Sequence, residues 1–186
     1  MRILIAGVLG AIAMFIWATV AHTLTPLAGT GLKALPNEAA MTATLQQNLG
    51  DRRGLYFFPF APGSDAKAMA AQEAKMKTAP SGLLVYNPPG TPGLTTRQLV
   101  AEFIFELCES LITALLLTLA VGFLPRLGVA SLVGVVAAMA TNFSYWNWYG
   151  FSLDYTLAAA FMELMKFVVA GAVIALILGW RRGAKA

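Results

Sequence analysis

Four long apolar segments constrain the fold of this chain more than any other feature. A helix needs about 20 largely apolar residues to cross a bilayer. We predict such helices over four ranges: 1–23, 98–124, 127–143 and 155–180. Charged residues make up only 12% of the sequence, against roughly 25% in soluble domains. The sequence therefore predicts an all-α transmembrane four-helix bundle whose main solvent is the lipid bilayer.

The segment 24–97, between the first two predicted spans, predicts a small external α/β cap. Two helical patterns alternate with two short apolar strand patterns in it, in the order 38–49 (helix), 54–59 (strand), 64–78 (helix) and 82–88 (strand). A strand–helix–strand path normally gives parallel pairing. We therefore expect the two strands to be parallel, with an antiparallel return as the alternative.

The distribution of basic residues predicts the orientation in the membrane. With four spans, Arg2, Arg126 and the basic residues of the tail 181–186 all fall on one side. Short loops rich in lysine and arginine stay in the cytoplasm. We therefore predict a multi-pass protein with both termini and the tail in the cytoplasm, and with the cap on the opposite side.

Two short segments predict the connections between the later spans. Pro125 and Gly128 predict a tight helical hairpin between the second and third spans. The aromatic residues of 145–149 favour the headgroup region of a bilayer. This run therefore predicts an interfacial loop between the third and fourth spans.

Three glutamates, Glu102, Glu106 and Glu109, lie on one face of the second predicted span. At 100° per residue they fall within roughly 60° of one another. An ionised carboxylate in hydrocarbon costs on the order of 3 kcal/mol, so such residues normally have a partner or a function. This stripe is therefore the main candidate site.

The fourth predicted span carries candidate partners at matching depths. The second and fourth spans run in the same direction across the membrane. At 1.5 Å per residue, Glu109 and Lys166 each lie roughly 16 Å from the starts of their spans, and Glu106 and Glu163 roughly 12 Å. We therefore predict a Glu109–Lys166 pair and a Glu106–Glu163 pair if the two helices touch.

The charges of this cluster do not balance, because four carboxylates face one lysine. Either a carboxyl group holds a proton near neutral pH, or the cluster binds a cation, for which oxygen ligands suit Mg²⁺, Ca²⁺ or Mn²⁺. His22 could join such a site, and Asn142 and Asn147 are candidate polar supports. We expect no other cofactor, and no nucleic-acid partner, because the basic residues are dispersed.

The strings WATVAHTLTPL, GLYFFP, SGLLVYNPPG and YWNWYGF resemble those of a family of small four-span bacterial inner-membrane proteins. This resemblance would cover most of the chain and implies a bacterial inner-membrane location with a periplasmic cap. It implies no activity and transfers no functional residues. The layout is also similar to that of claudin-like proteins, but their paired loop cysteines are absent here, because the chain has a single cysteine.

Three functions follow from these patterns. We favour an integral membrane accessory or scaffold protein whose cap meets a membrane-protein partner or a second copy of the chain. The alternative is a small proton- or cation-coupled transport or binding protein, which requires a water-accessible cavity reaching Glu106 and Glu109. A membrane enzyme is the least favoured function, and an external pocket shared by His22 and Asp154 would support it.

Overall fold

The computed structural model describes residues 1–180, and most of them are helical. The helices and strands follow in the order α1 (Arg2–Thr23), α2 (Glu38–Leu49), β1 (Gly54–Phe58), α3 (Ala66–Met76), β2 (Gly82–Tyr86), α4 (Thr96–Leu116), α5 (Phe123–Ala138), α6 (Ser144–Tyr149) and α7 (Leu153–Gly179). Short 3₁₀ turns span Leu27–Gly29 and Leu117–Leu119, and a π-helical turn spans Met139–Phe143. The predicted cytoplasmic tail, 181–186, lies outside the described residues.

The chain divides into two compact units. The helical unit comprises Met1–Leu32 and the chain from Leu94 onward, and it contains α1 and α4 to α7. The cap unit comprises Lys33–Gly93 and contains α2, α3 and both strands. The predicted insertion of an α/β segment after the first helix is therefore present as a separate unit.

Three helices of the helical unit are long and apolar enough to cross a membrane: Arg2–Thr23, Phe123–Tyr149 and Leu153–Gly179. These helices indicate an integral membrane protein. The remaining long helix, α4, has 21 residues but is less apolar, because it carries three glutamates and an arginine. By length and composition, the predicted spans are therefore confirmed for three helices.

Helix α1 is the centre of the packing between α4 and α7. It contacts both helices along its length, whereas α4 and α7 contact each other less extensively, and α5 packs on α7. Ser110 of α4 donates a hydrogen bond to the carbonyl oxygen of Gly7 (2.8 Å). Further along α1, the Phe15 ring packs edge to face on Phe103, with 5.8 Å between ring centroids. Helices α1 and α4 are therefore antiparallel.

Helices α1 and α7 are also antiparallel. The indole N–H of Trp17 donates to the carbonyl oxygen of Met162 (3.0 Å), and Gly10 lies against Ile174 at the other end of the contact. Since both α4 and α7 are antiparallel to α1, they run in the same direction, as the depth argument requires.

Small residues allow the helices to approach closely. A Cβ atom added at Gly10 would overlap the Ser110 hydroxyl, and one added at Gly171 would overlap the Cβ of Ala130. Close helix approach through small residues is the usual packing mode of membrane helices. Contacts within one chain therefore account for these glycines.

The connection between α4 and α5 differs from the prediction. The chain turns at Gly122, which has a φ of +96°, and Pro125 already lies in the first turn of α5. Proline is tolerated there because the first backbone N–H groups of a helix need no intrahelical acceptor. The predicted hairpin at Pro125 and Gly128 is wrong: Gly128 lies inside α5, and the preceding helix ends before residue 124.

The aromatic run 145–149 is helical rather than a loop. The helix that begins at Phe123 continues through the π-helical turn and α6 to Tyr149, over 27 residues in total. Between Gly134 and Gly150, which has a φ of +71°, the chain contains no proline or glycine. The predicted third span, 127–143, is therefore too short at both ends, and the loop predicted for 145–149 is helical instead.

The cap unit contains a two-stranded antiparallel sheet, in which Phe58 pairs with Gly82. The prediction of parallel strands is wrong, whereas the predicted helices and strands themselves are present. The reason is the path of α3, where Gln72 donates a hydrogen bond to the carbonyl oxygen of Pro59 (3.1 Å). The chain leaves the sheet at Phe58, the last residue of β1, and α3 brings it back to the same edge. Strand β2 therefore begins beside Phe58 and runs antiparallel to β1.

Candidate functional site

An ion-pair cluster joins α4 to α7 in the middle of the helical unit. Lys166 Nζ lies 2.8 Å from Glu109 Oε2 and 3.2 Å from Glu163 Oε1. The Lys166 side chain is 12% exposed, and the Glu109 side chain is 37% exposed. Equal depth in two helices of the same direction predicts a Glu109–Lys166 pair. This prediction is confirmed.

Glu106 lies one turn before Glu109 and has a different environment. Its side chain is buried, with an overall exposure of 1%. Within the described residues, neither carboxyl oxygen has a hydrogen-bond partner. The nearby Ser110 hydroxyl is directed to the carbonyl of Gly7 instead. Leaving a buried carboxyl group without a partner is costly, by several kcal/mol if it is ionised.

A cavity of about 220 Å³ adjoins Glu106. Its charged lining consists of Glu102, Glu106, Glu163 and Lys166, and its other side chains come from α1, the π-helical turn and the first part of α7. Glu109 does not line it. Glu106 and Glu163, the second pair that the depth argument predicts, thus share a cavity wall, and Glu163 forms its ion pair with Lys166.

His22 lies at the mouth of the cavity, and its side chain is exposed. Its Nδ1 atom is 2.9 Å from the carbonyl oxygen of Ala18. Because a carbonyl oxygen only accepts hydrogen bonds, this contact assigns the proton to Nδ1. Asp154 does not line this cavity, and a pocket shared by His22 and Asp154 stays a prediction.

The two asparagines predicted as polar supports have different positions. Asn142 lines the cavity together with Thr141, and both belong to the π-helical turn. Such turns are frequent at functional sites because they redirect side chains relative to a regular α-helix. Asn147 is exposed on α6 and does not line the cavity. Asn142 therefore remains a candidate, and the role of Asn147 stays a prediction.

No preorganised set of metal ligands is found in the part of the chain that the structure describes. Among residues 1–180, no group of three His, Cys, Asp or Glu side chains converges closely enough to hold a metal ion. A divalent cation would therefore need water or carbonyl ligands in addition to the carboxylates. A hard divalent cation stays one candidate occupant among others.

Two features of the helical unit were missed from the sequence. Trp17, Tyr155 and Met162 line the cavity, but at sequence level each is an ordinary apolar or aromatic residue of a span. Arg126 is buried, at 6% exposure, and its Nε donates to the carbonyl oxygens of Leu117 and Ala120 at 3.2 Å each. Carbonyl groups at a helix C-terminus attract cations, so Arg126 binds the carbonyl groups that follow the end of α4.

No protein-family model, no curated protein and no solved structure matches this chain. The class of the protein therefore follows from its own features: a mostly helical membrane protein with a small two-stranded sheet and a buried acidic residue beside a cavity. The resemblance of its sequence strings to small bacterial inner-membrane proteins stays a prediction.

Proposed function

We propose that this chain is a multi-pass inner-membrane protein whose helical unit binds a cation or a proton at Glu106. The observation that carries this proposal is the unpartnered Glu106 carboxyl group, 1% exposed, beside a cavity. A residue that serves only packing would be replaced by an apolar side chain at lower cost, whereas intramembrane carboxyl groups commonly serve ions, protons or ligands.

The local charge supports a positively charged occupant. Two carboxyl groups, those of Glu109 and Glu163, contact the ammonium group of Lys166, and two more, those of Glu102 and Glu106, line the same cavity as Lys166. Lys166 is already paired with two of them, at 2.8 and 3.2 Å. The remaining negative charge near Glu106 can be neutralised by a proton or by a bound cation.

Helix α4 completes the membrane unit in this proposal. Its 21 residues give a length of about 32 Å at 1.5 Å per residue, which matches the hydrocarbon thickness. Its buried contacts with α1 place Glu106 and Ser110 against a membrane helix rather than in water. With α4 as the fourth span, Arg2 and Arg126 lie at the cytoplasmic end and the cavity opens towards the periplasmic end.

The test uses the purified full chain in lipid nanodiscs. The melting temperature is measured with Na⁺, K⁺, Mg²⁺ or Ca²⁺ at constant ionic strength, and across a pH series, for the wild type and for Glu106→Gln. Glu73→Gln is the matched control, because Glu73 is an exposed residue of the cap unit in a surface pair with Lys77. We expect a stabilisation by one of these cations or by protons that Glu106→Gln loses. Identical profiles for the wild type and Glu106→Gln would contradict the proposal.

A second candidate function concerns the cap unit as a docking module of an accessory or scaffold protein. Within Lys33–Gly93, the only buried apolar side chains are those of Ala61 and Tyr86. A cleft of about 450 Å³ lies between α2 and the sheet, and it is lined mainly by apolar residues: Leu35, Ala40, Met41, Thr44, Leu45, Phe58, Leu83 and Leu84. A protein partner that inserts apolar side chains there would supply the burial that the cap unit lacks.

Native mass spectrometry in mild detergent tests this second function. We expect the wild type to carry a defined protein partner or a second copy, and Met41→Asp to lose it by placing a charge in the cleft. Lys67→Asp on the exposed part of α3 is the control. A lone monomer for the wild type, or a complex that survives Met41→Asp, would contradict docking through this cleft.

A further inference from the structure

A second cavity of the helical unit, of about 400 Å³, lies where α5 begins and α7 ends. Its described lining residues belong to 121–126 and 175–180, and Arg126 is the one charged residue among them. The helices Phe123–Tyr149 and Leu153–Gly179 have 27 residues each. That length is about 40 Å, more than the roughly 30 Å of hydrocarbon in a bilayer. The cavity at their ends therefore lies at the level of lipid headgroups.

Arg126 is a buried cation without an anion. Its exposure is 6%, and no carboxylate of residues 1–180 forms an ion pair with it. The sequence contains no acidic residue between Glu109 and Asp154, and none after Glu163. A guanidinium group stays protonated in proteins, and a buried charge without an opposite charge is costly. An anion from outside the chain would supply the missing charge.

Part of the Arg126 guanidinium group remains available to such an anion. Its Nε donates to the carbonyl oxygens of Leu117 and Ala120, and its Nη1 donates to that of Ala175 at 3.4 Å. Its Nη2 makes no hydrogen bond to residues 1–180. Side-chain atoms of these residues that are sealed from the surface without a partner belong only to two glutamates of α4. The Nη2 atom is therefore accessible, and the cavity is the one that Arg126 lines.

The start of α5 adds further hydrogen-bond donors beside the guanidinium group. Helix α5 has no side-chain cap, and its first turn contains no acidic residue. The backbone N–H groups of Phe123 and Leu124 have no acceptor within the helix, and the positive end of the helix dipole favours an anion there. Gly122 and Phe123 line the cavity together with Arg126. The guanidinium group and the helix N-terminus therefore border the same cavity.

The rest of the lining indicates what the anion is attached to. Apart from Arg126, the described lining residues are glycine, apolar or aromatic, and they include Val121, Leu176 and Trp180. The volume of about 400 Å³ lies within the roughly 300–1,000 Å³ of typical ligand pockets. Phosphate oxygens match the fork of arginine N–H groups, and basic pockets between membrane helices are known to bind phospholipid headgroups. A phosphate ester that carries apolar chains fits both parts of the lining.

We propose that this cavity binds the phosphate group of an anionic phospholipid, with the phosphate oxygens on the Arg126 guanidinium group and the first N–H groups of α5. This site contains no residue of the Glu106 cavity, so the inference goes beyond the proposed cation-binding function. A free phosphate ion has the same binding chemistry, but it gains nothing from the apolar lining. We therefore expect the lipid to be the ligand.

The test compares dioleoylphosphatidylglycerol with dioleoylphosphatidylcholine, two lipids that have the same acyl chains and a phosphate diester. Only the second carries a quaternary ammonium group, which cancels the charge of its phosphate and repels a guanidinium group. Binding to the purified full chain in mild detergent is measured by microscale thermophoresis, and inorganic phosphate is the third probe. We expect phosphatidylglycerol to bind at least about tenfold more tightly than either of the others.

A variant of the first turn of α5 tests the site without removing the hydrogen bonds of Arg126 to carbonyl groups. Phe123→Asp places a carboxylate in the cavity, where it competes with the phosphate for Arg126, and a carboxylate at a helix N-terminus favours the helix. We expect it to weaken phosphatidylglycerol binding at least about tenfold. Leu124→Asp is the matched control, because Leu124 is 75% exposed in the same turn and does not line the cavity. It should bind within about threefold of the wild type, since salt screens exposed charges.

Several results would overturn the inference: no binding of phosphatidylglycerol, equal affinity for the two lipids, unchanged binding by Phe123→Asp, or equal weakening by both aspartate variants. Inorganic phosphate that binds as tightly as phosphatidylglycerol would overturn the lipid as the ligand. Glu106→Gln should bind phosphatidylglycerol like the wild type, because Glu106 does not line this cavity. Loss of lipid binding in Glu106→Gln would contradict a separate site.

Discussion

Lys166 on α7 forms an ion pair with Glu109 on α4, with 2.8 Å between Nζ and Oε2. Most contacts of α4 in the helical unit are made with α1, so this pair is the main polar link between α4 and α7. It also brings Lys166 into contact with Glu163 of its own helix. The arrangement holds three of the predicted site residues together and leaves Glu106 outside the pairing.

The first prediction concerns the cost of breaking this link. Lys166→Met leaves Glu109 and Glu163 without their cation, and we expect it to destabilise the protein by about 2 kcal/mol, less than for a fully buried pair because Glu109 is partly exposed. For a chain of this size that lowers the melting temperature by about 4–8 °C. The double variant Lys166→Met/Glu109→Gln should recover part of the loss. A melting temperature that is equal in all three proteins would show that the pair has no structural role.

The second prediction concerns Arg126, whose guanidinium group donates to the carbonyl oxygens of Leu117 and Ala120. A third hydrogen bond, to Ala175 at 3.4 Å, joins the same group to α7. Arg126→Met leaves these carbonyl groups without their donor, and we expect a loss of about 2 kcal/mol in the free energy of unfolding. Arg53→Met, at an exposed position of the cap unit, is the control and should change stability by less than about 0.5 kcal/mol. Equal effects of the two substitutions would show that the hydrogen bonds of Arg126 do not stabilise the fold.

The third prediction uses two glycines of facing helices. A Cβ at Gly171 would overlap Ala130, whereas a Cβ at Gly128 meets nothing within 4 Å. We expect Gly171→Ala to destabilise the protein by about 1–3 kcal/mol through overpacking. Gly128→Ala should be neutral or stabilising by up to about 1 kcal/mol, because alanine is the better helix former. Thermal unfolding in the same nanodiscs measures both, and the reverse order of stabilities would contradict the α5–α7 contact.

The fourth prediction tests whether α4 spans the membrane. The single cysteine, Cys108, is exposed on α4, about 18 Å from the start of the helix at Thr96. If α4 is a span, Cys108 faces acyl chains, and a charged maleimide should label it only after the membrane is dissolved. The control Cys108→Ser/Ser81→Cys places the thiol on the cap unit, where we expect rapid labelling from the periplasmic side. Rapid labelling of Cys108 in intact membranes would contradict a spanning α4.

The sequence predicts the helices and the depth of their charges well, because apolar length and the rise per residue are local properties of each segment. The Glu109–Lys166 pair follows from equal depth in two helices of the same direction, provided that they touch. Depth does not determine which helix faces meet, and so Glu163 is directed to Lys166 rather than to Glu106. The cavity beside Glu106 forms where α1, the π-helical turn and α7 pack together. The sequence pattern of one helix carries no information about packing between several elements.

The errors at the helix ends have a similar origin. Proline is both a helix breaker and a residue of first helical turns, and at Pro125 the second role applies. Aromatic residues favour the membrane interface equally well in a loop and in the last turn of a helix, so the run 145–149 did not distinguish the two. In the cap unit, the direction of the second strand depends on where α3 ends, which the length of the helix alone does not determine.

The fifth prediction tests whether the buried Glu106 carboxyl group serves binding or the stability of the fold. If the buried carboxyl group serves a ligand, it reduces the stability of the ligand-free protein, because sites of function are commonly retained at a cost in stability. Glu106→Met removes the unpartnered group at similar side-chain volume. Glu163→Met is the matched variant and should be destabilising, because Glu163 is paired with Lys166 at 3.2 Å.

The most direct test of the account is therefore the melting temperature of ligand-free Glu106→Met in nanodiscs. Relief of an unsatisfied buried group is worth about 1–3 kcal/mol, and we expect the melting temperature to rise by several degrees while Glu106-dependent cation binding is lost. A fall in melting temperature would show that the Glu106 carboxyl group stabilises the folded protein, and would contradict its assignment as a binding residue.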